Sequence, residues 1–127
     1  MPVGEKHILF VGPNLSFKKE IYQAFVDKEY KVSSAPHGFK AIQIAREEPL
    51  DVIVSDLMMY KMGGVKLSQE IHKIGADRQI RCIVICPSEE KKQQSSDRPD
   101  GPDVFLVKPV AVADLIRSVE KLVQGRK

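Results

Sequence analysis

Two side chains in this sequence are placed to act together. Asp56 directly follows the apolar run "DVIVS", and Lys108 directly follows "VFLV". A carboxylate at the end of an apolar strand loses solvation, which raises its energy unless a cation stands near. Lys108 is the obvious candidate for that cation, and the two charges can nearly cancel without a metal. Taken alone, an aspartate after a strand is most often a turn or capping residue. The pair therefore has to be judged from the elements that carry it.

The thiols and imidazoles offer less. Cys82 and Cys86 share one apolar run, "IRCIVIC". In a strand their Cα atoms stand roughly 13 Å apart, four steps of about 3.3 Å, and a disulfide needs less than about 7 Å. They should be free thiols, which fits a reducing compartment. They form no CxxC pair, and His7, His37 and His72 are scattered along the chain, so zinc is not expected. His37 and His72 read as surface residues.

Apolar runs alternate with helix-periodic segments along the whole chain. Strands are expected at Ile8–Val11, Tyr30–Ala35 (the weakest), Asp51–Ser55, Ile80–Cys86 and Val104–Val107. Between them, apolar stripes mark helices through Phe17–Phe25, Ala41–Ala45 and Leu67–Ile74, and a strongly amphipathic one through Leu115–Val123. "SEEKKQQSSDRPDGPD", Ser88–Asp103, holds no large apolar residue. A fourth helix over Glu89–Ser95 would have to end before Pro99 and would lack a face to pack, so this stretch is expected to be mobile or irregular. Five β-α repeats with short connections imply an α/β, doubly wound, five-stranded parallel sheet between two helix layers. Working residues then gather at the carboxyl ends of the strands. Those ends offer Gly12-Pro13-Asn14, Pro36-His37, Asp56, Cys86-Pro87-Ser88 and Lys108-Pro109.

With 127 residues the chain suits one domain, 1–127, with a core over about 6–123. No apolar stretch approaches the roughly 20 residues of a membrane helix, and the N-terminal residues lack a signal-peptide core. A cytoplasmic location with no membrane contact is the default. A net charge of +3 with scattered basic residues and no tryptophan does not suggest nucleic-acid binding in this domain. Nothing in the sequence sets an oligomeric state.

"PLDVIVSDLMMYKMGGVKL" resembles the phosphoacceptor segment of the receiver domains of two-component response regulators, a flavodoxin-like (βα)5 fold. "DVFLVKPVAVADLIRSVEKLV" resembles the end of that family, with Phe105 three residues before the Lys108-Pro109 pair and Gly101 before the last strand. Gly12, Asp56, Cys86 and Lys108 fall at the family's spacings. The resemblance implies that Asp56 is a candidate phosphoacceptor served by a histidine kinase, and that Lys108 pairs with the phosphoryl oxygens. It also implies a Mg²⁺ site built from an acidic pair at the first strand's end, Asp56 and the Met58 carbonyl. A serine or threonine at position 86 would bond the phosphate and draw the aromatic residue at 105 inward.

Several of those groups are missing. The acidic pair maps onto Gly12 and Pro13, with neutral Asn14 beside them, and the hydroxyl position holds Cys86. Tyr60 and Ala111 replace the family's usual proline and capping residue. Two carboxylates fewer should weaken Mg²⁺ binding, because affinity at oxygen sites follows ligand charge. A thiol is a weak donor that packs like a small apolar residue. The expectation is a pseudo-receiver, not an enzyme, with no cofactor or metal. It would act by binding a histidine kinase or another signalling protein, with Asp56 and Lys108 as a structural pair. Mg²⁺ enters only in the alternative, a receiver still phosphorylated on Asp56 through an atypical metal site. Phe105 is then a switch aromatic or plain core, and Cys86 a small buried residue rather than a redox sensor. A phosphatase on this fold would need a second acid at position 58, which is Met, and "GPNLS" is a poor flavin-phosphate loop.

Overall fold

A computed structural model of the chain describes residues 6–12, 19–59, 61–74, 79–95 and 100–124. Pro13, Asn14 and Tyr60 lie outside the described residues. The strands are β1 (His7–Val11), β2 (Lys31–Ala35), β3 (Val52–Asp56), β4 (Arg81–Cys86) and β5 (Val104–Val107). The helices are α1 (Lys19–Asp27), α2 (Gly38–Glu47), α3 (Gly64–Ile74), α4 (Glu89–Ser95) and α5 (Val112–Gln124). The strands form one parallel sheet in the order β2-β1-β3-β4-β5. This is the doubly wound α/β architecture that the alternation predicts.

Strand alternation explains how one sheet builds two cores. Leu9, Val11 and Ile53 face one side, where Ala41 and Ala45 of α2 and Leu67 and Ile71 of α3 cover them. Ile8, Phe10, Val52 and Val54 face the other, under Ile21 and Phe25 of α1 and Leu115 and Val119 of α5. β1 and β3 are buried along their whole length, which is why they read as unbroken apolar runs. Phe10, Phe25, Ile83 and Leu115 are fully buried, and each side chain of this kind stabilises the fold by about 1.5–3 kcal/mol. A third cluster of Leu57, Val84 and Cys86 sits at the carboxyl end of β4, with Val65, Phe105 and Val107 packed on it.

Three expectations need correction. Asp56 does not follow its strand; it is the last residue of β3, in register with Ile85. The stretch after Ser88 is not irregular throughout, since α4 is a regular helix over Glu89–Ser95. It buries no residue, as its composition requires, but its amino end is well made. The Ser88 hydroxyl accepts the Lys91 N–H at 3.2 Å, and Glu89 and Glu90 face the positive end of the helix dipole. Finally, His72 is only partly a surface residue, with 27% of its side chain exposed. Both cysteines are buried free thiols, as expected. No described helix is long and apolar enough to cross a membrane.

Candidate functional site

The carboxyl ends of β1, β3, β4 and β5 bring Gly12, Asp56, Cys86 and Lys108 to one edge of the sheet. Backbone pairing fixes them there. The Leu57 N–H donates to the Ile85 carbonyl, the Lys108 N–H to the Cys86 carbonyl and the Gly12 N–H to the Ala35 carbonyl, at 2.9 to 3.0 Å. Gly64, the first residue of α3, abuts the same corner: a Cβ there would stand 2.6 Å from the Asp56 carbonyl oxygen.

Asp56 is 8% exposed. Lys108 Nζ lies 3.6 Å from its Oδ1, with the lysine side chain 47% exposed. That separation makes an ion pair but is too long for a hydrogen bond, and Oδ1 is buried without a hydrogen-bond partner among the described residues. Burial raises the Asp56 pKa above its ordinary 3.8, and the Lys108 charge only partly offsets this. Oδ2 faces position 12. Gly12 has φ +147°, and a Cβ built on it would come within 2.7 Å of that oxygen. The carboxylate crowds the place where a side chain at position 12 would begin.

Cys86 is fully buried, and burial pushes its thiol pKa up although Lys92 opposes this. It packs as a small buried residue with Leu57 and Val84, and a raised pKa disfavours the thiolate on which redox reactivity depends. Phe105 is half-buried against the cluster that includes Cys86. Met58 stands at the rim with its side chain 62% exposed.

A five-stranded parallel α/β sheet with a carboxylate and a lysine at its strand ends is the arrangement expected of a receiver domain. The model of the response regulator receiver domain matches residues 8–120. The chain belongs to that family and is a receiver domain of the two-component response regulators. Among curated relatives it is 27% identical over 125 residues to a probable transcriptional regulator, ycf27, of Cyanidium caldarium, covering 96% of this chain and 49% of the relative. It is 26% identical over 117 residues to the response regulator receiver protein CpdR of Brucella abortus, covering 92% of this chain and 96% of that one. The chain spans about half the length of several curated relatives it matches, such as MprA of Mycobacterium leprae, at 52%. Among solved structures, the receiver domain of a signal transduction histidine kinase from Syntrophus aciditrophicus superposes with a TM-score of 0.83 at 24% identity, covering 96% and 92% of the two chains. The receiver domain of the sensor histidine kinase PA1611 from Pseudomonas aeruginosa, with a magnesium ion coordinated in its active-site cleft, gives 0.82 at 20%, covering 96% and 100%. At these identities the superpositions establish the fold alone.

Magnesium prefers six oxygen ligands, with carboxylates supplying charge. Among the described residues, the family's corner offers one carboxylate, Asp56, and the carbonyl position that the family uses at Met58. Gly12 has no side chain, and Asp56 Oδ2 lies 2.7 Å from where its Cβ would stand. Lys108 already stands beside the other oxygen. Among the described residues, this donor set brings less negative charge to the ion than the family's acidic corner and fits it poorly.

Sequence reasoning missed two histidine roles. His37 caps α2, its Nδ1 accepting the Lys40 N–H at 3.1 Å, and a histidine gives no capping signal of the usual kind. His72 meets Cys82 and Asp103 at the opposite end of the sheet. Distance along the chain set a zinc-type cluster aside, yet the crossover from α3 to β4 and β5 closes that distance. Hydrogen bonds with Asp103 and then with Cys82 push the His72 pKa up to about 10.

Proposed function

We propose that this domain has given up metal-dependent phosphoryl transfer and acts in two-component signalling as a protein-binding platform. A histidine kinase or another signalling protein would be its partner. The observation that carries this reading is the seating of Asp56 Oδ2 against the bare backbone of Gly12. An Asp56 in that position is a packed group neutralised by Lys108 rather than a nucleophile beside a metal ion. The loss of a hydroxyl at Cys86 agrees, since a buried thiol offers a phosphate only a weak donor.

One observation favours the second reading, in which Asp56 still accepts a phosphoryl group. Its Oδ1 is without a hydrogen bond among the described residues, and Lys108 is in place to meet new negative charge. Neither reading makes the domain an enzyme acting on other molecules. Incubation with acetyl phosphate, with and without Mg²⁺, followed by intact mass measurement separates them. The platform reading expects no phosphorylated species. A mass gain of one phosphoryl group that Asp56→Asn abolishes would overturn it.

A further inference from the structure

Three chemistry-bearing side chains converge at the amino end of β4, away from Asp56. His72 comes from the last turn of α3, Cys82 from β4, and Asp103 immediately precedes β5. Their ligand atoms, one nitrogen, one sulfur and one oxygen, lie within 4.8 Å of one another. We propose that His72, Cys82 and Asp103 form a binding site for a zinc-type divalent metal ion.

The donors are held as a metal site requires. The Cys82 N–H donates to Asp103 Oδ2 at 2.7 Å, and the Asp103 N–H donates to the Cys82 carbonyl at 2.8 Å. This two-way clamp fixes the carboxylate beside the thiol. His72 Nδ1 lies 3.1 Å from the Asp100 carbonyl. A carbonyl only accepts, so Nδ1 carries a hydrogen and Nε2 is the nitrogen left to ligate. Metal-binding histidines are oriented in this way, by donating the other ring N–H to a carbonyl or carboxylate. Nε2 stands 3.3 Å from Asp103 Oδ2, close to the roughly 3.4 Å edge of a tetrahedron with about 2.1 Å bonds.

The chemistry of the set selects the ion. Nitrogen, thiolate and a single carboxylate suit Zn²⁺ and its borderline neighbours, whereas Mg²⁺ and Ca²⁺ demand more oxygens. On binding, the Cys82 thiol loses its proton to solvent and His72 releases the proton it shares with Asp103. Thiolate, carboxylate and neutral imidazole then cancel the dication's charge. A pocket of about 410 Å³ lined by Gln69, His72, Lys73 and Asp100 opens beside the histidine and gives a water room at the fourth position. The bordering cations leave the ligating oxygen open: Arg81 pairs with the same carboxylate through its other oxygen, Oδ1, at 3.4 Å, and Lys73 pairs with Glu70.

The test is titration of the reduced, tag-free domain with Co²⁺, followed by Zn²⁺. One equivalent of Co²⁺ should give a thiolate-to-cobalt charge-transfer band in the near ultraviolet, which Zn²⁺ then abolishes. The band should survive Cys86→Ala and vanish in Cys82→Ser. His72→Gln, at a part-exposed position with little risk to folding, should weaken binding by about tenfold or more, as should Asp103→Asn. Absence of the band from the folded wild-type domain, its persistence in Cys82→Ser, or unchanged affinity in His72→Gln would each overturn the proposal and leave the cluster as an ion pair only.

Discussion

Asp56 Oδ2 stands 2.7 Å from the place where any residue other than glycine at position 12 would put its Cβ. Neighbouring strand ends thus make one fitted unit. β1 ends in a residue without a side chain, and β3 ends in a carboxylate that uses the space. The φ of +147° at Gly12 strengthens the constraint, because residues with a Cβ rarely adopt it. The bare corner and the buried acid are therefore one feature.

Gly12→Asp should not restore the family's acidic corner. The new side chain meets Asp56 at contact distance, carries like charge and strains the backbone. A loss of about 1–3 kcal/mol is expected, read as a lower urea midpoint. A Gly12→Asp domain as stable as the parent would show that Asp56 moves aside freely, and the fitted-unit account would fail.

Asp56→Asn should stabilise the fold. Burial raises the folded pKa of Asp56 above the ordinary 3.8 despite Lys108. The folded state then holds the proton more tightly than the unfolded state. Stability from this group is present below the unfolded pKa and falls as pH rises through the folded one. At neutral pH the ionised carboxylate is a net cost, which the amide removes. Lys108→Met should act in the opposite direction, by about 1–3 kcal/mol, because it leaves a buried charge without its counter-ion. Urea midpoints of the two variants at neutral pH should move apart, and a midpoint lowered by Asp56→Asn would contradict the assignment.

The fold was legible because β1, β3 and β4 are built around the apolar runs Ile8–Val11, Val52–Val54 and Cys82–Cys86, and the strand ends carry their polar residues at fixed places. Asp56, Lys108 and Cys86 could be placed on one edge from order alone. The packing of Asp56 against Gly12 could not, since it depends on a backbone angle. Nor could the meeting of His72, Cys82 and Asp103, which three separate elements supply without any local motif. The bounds of α4, Glu89–Ser95, are those the sequence allows; its missing apolar stripe argues for an irregular stretch, while the Ser88-Glu89-Glu90 amino-terminal signal argues for the regular helix observed.

His7 should make the domain acid-sensitive. It is 4% exposed at the start of β1, with Nε2 2.7 Å from Ser33 Oγ. Burial first, then the Lys31 charge, lowers its pKa below 6.5, against weaker opposition from a hydrogen bond to the Pro49 backbone and the charges of Glu48 and Asp51. The unfolded chain therefore binds this proton more readily. Stability is fully present above the unfolded value and is lost as pH falls through 6.5 toward the folded pKa. Urea midpoints measured between about pH 7.5 and about pH 5 should fall in the parent and change less in His7→Gln. An equal slope in both would assign the sensitivity to other groups.

Ser88→Ala should melt α4 while leaving the domain folded. The helix has seven residues and none is buried, so its amide protection rests on local bonds rather than on packing. Its amino end depends on the Ser88 hydroxyl, which accepts the Lys91 N–H, and on the Ser88 carbonyl, which accepts the Lys92 N–H at 3.0 Å. Removing the hydroxyl costs such a helix about 1 kcal/mol, which is enough to tip a segment this short. Hydrogen exchange at the amides of Lys91–Ser95 should become faster in the variant, while β1 and β3 keep their protection. If α4 exchanges as slowly as the central strands, or if Ser88→Ala lowers the global urea midpoint by the full cap energy, the helix is a cooperative part of the core and its exposed surface gives a misleading picture of its coupling.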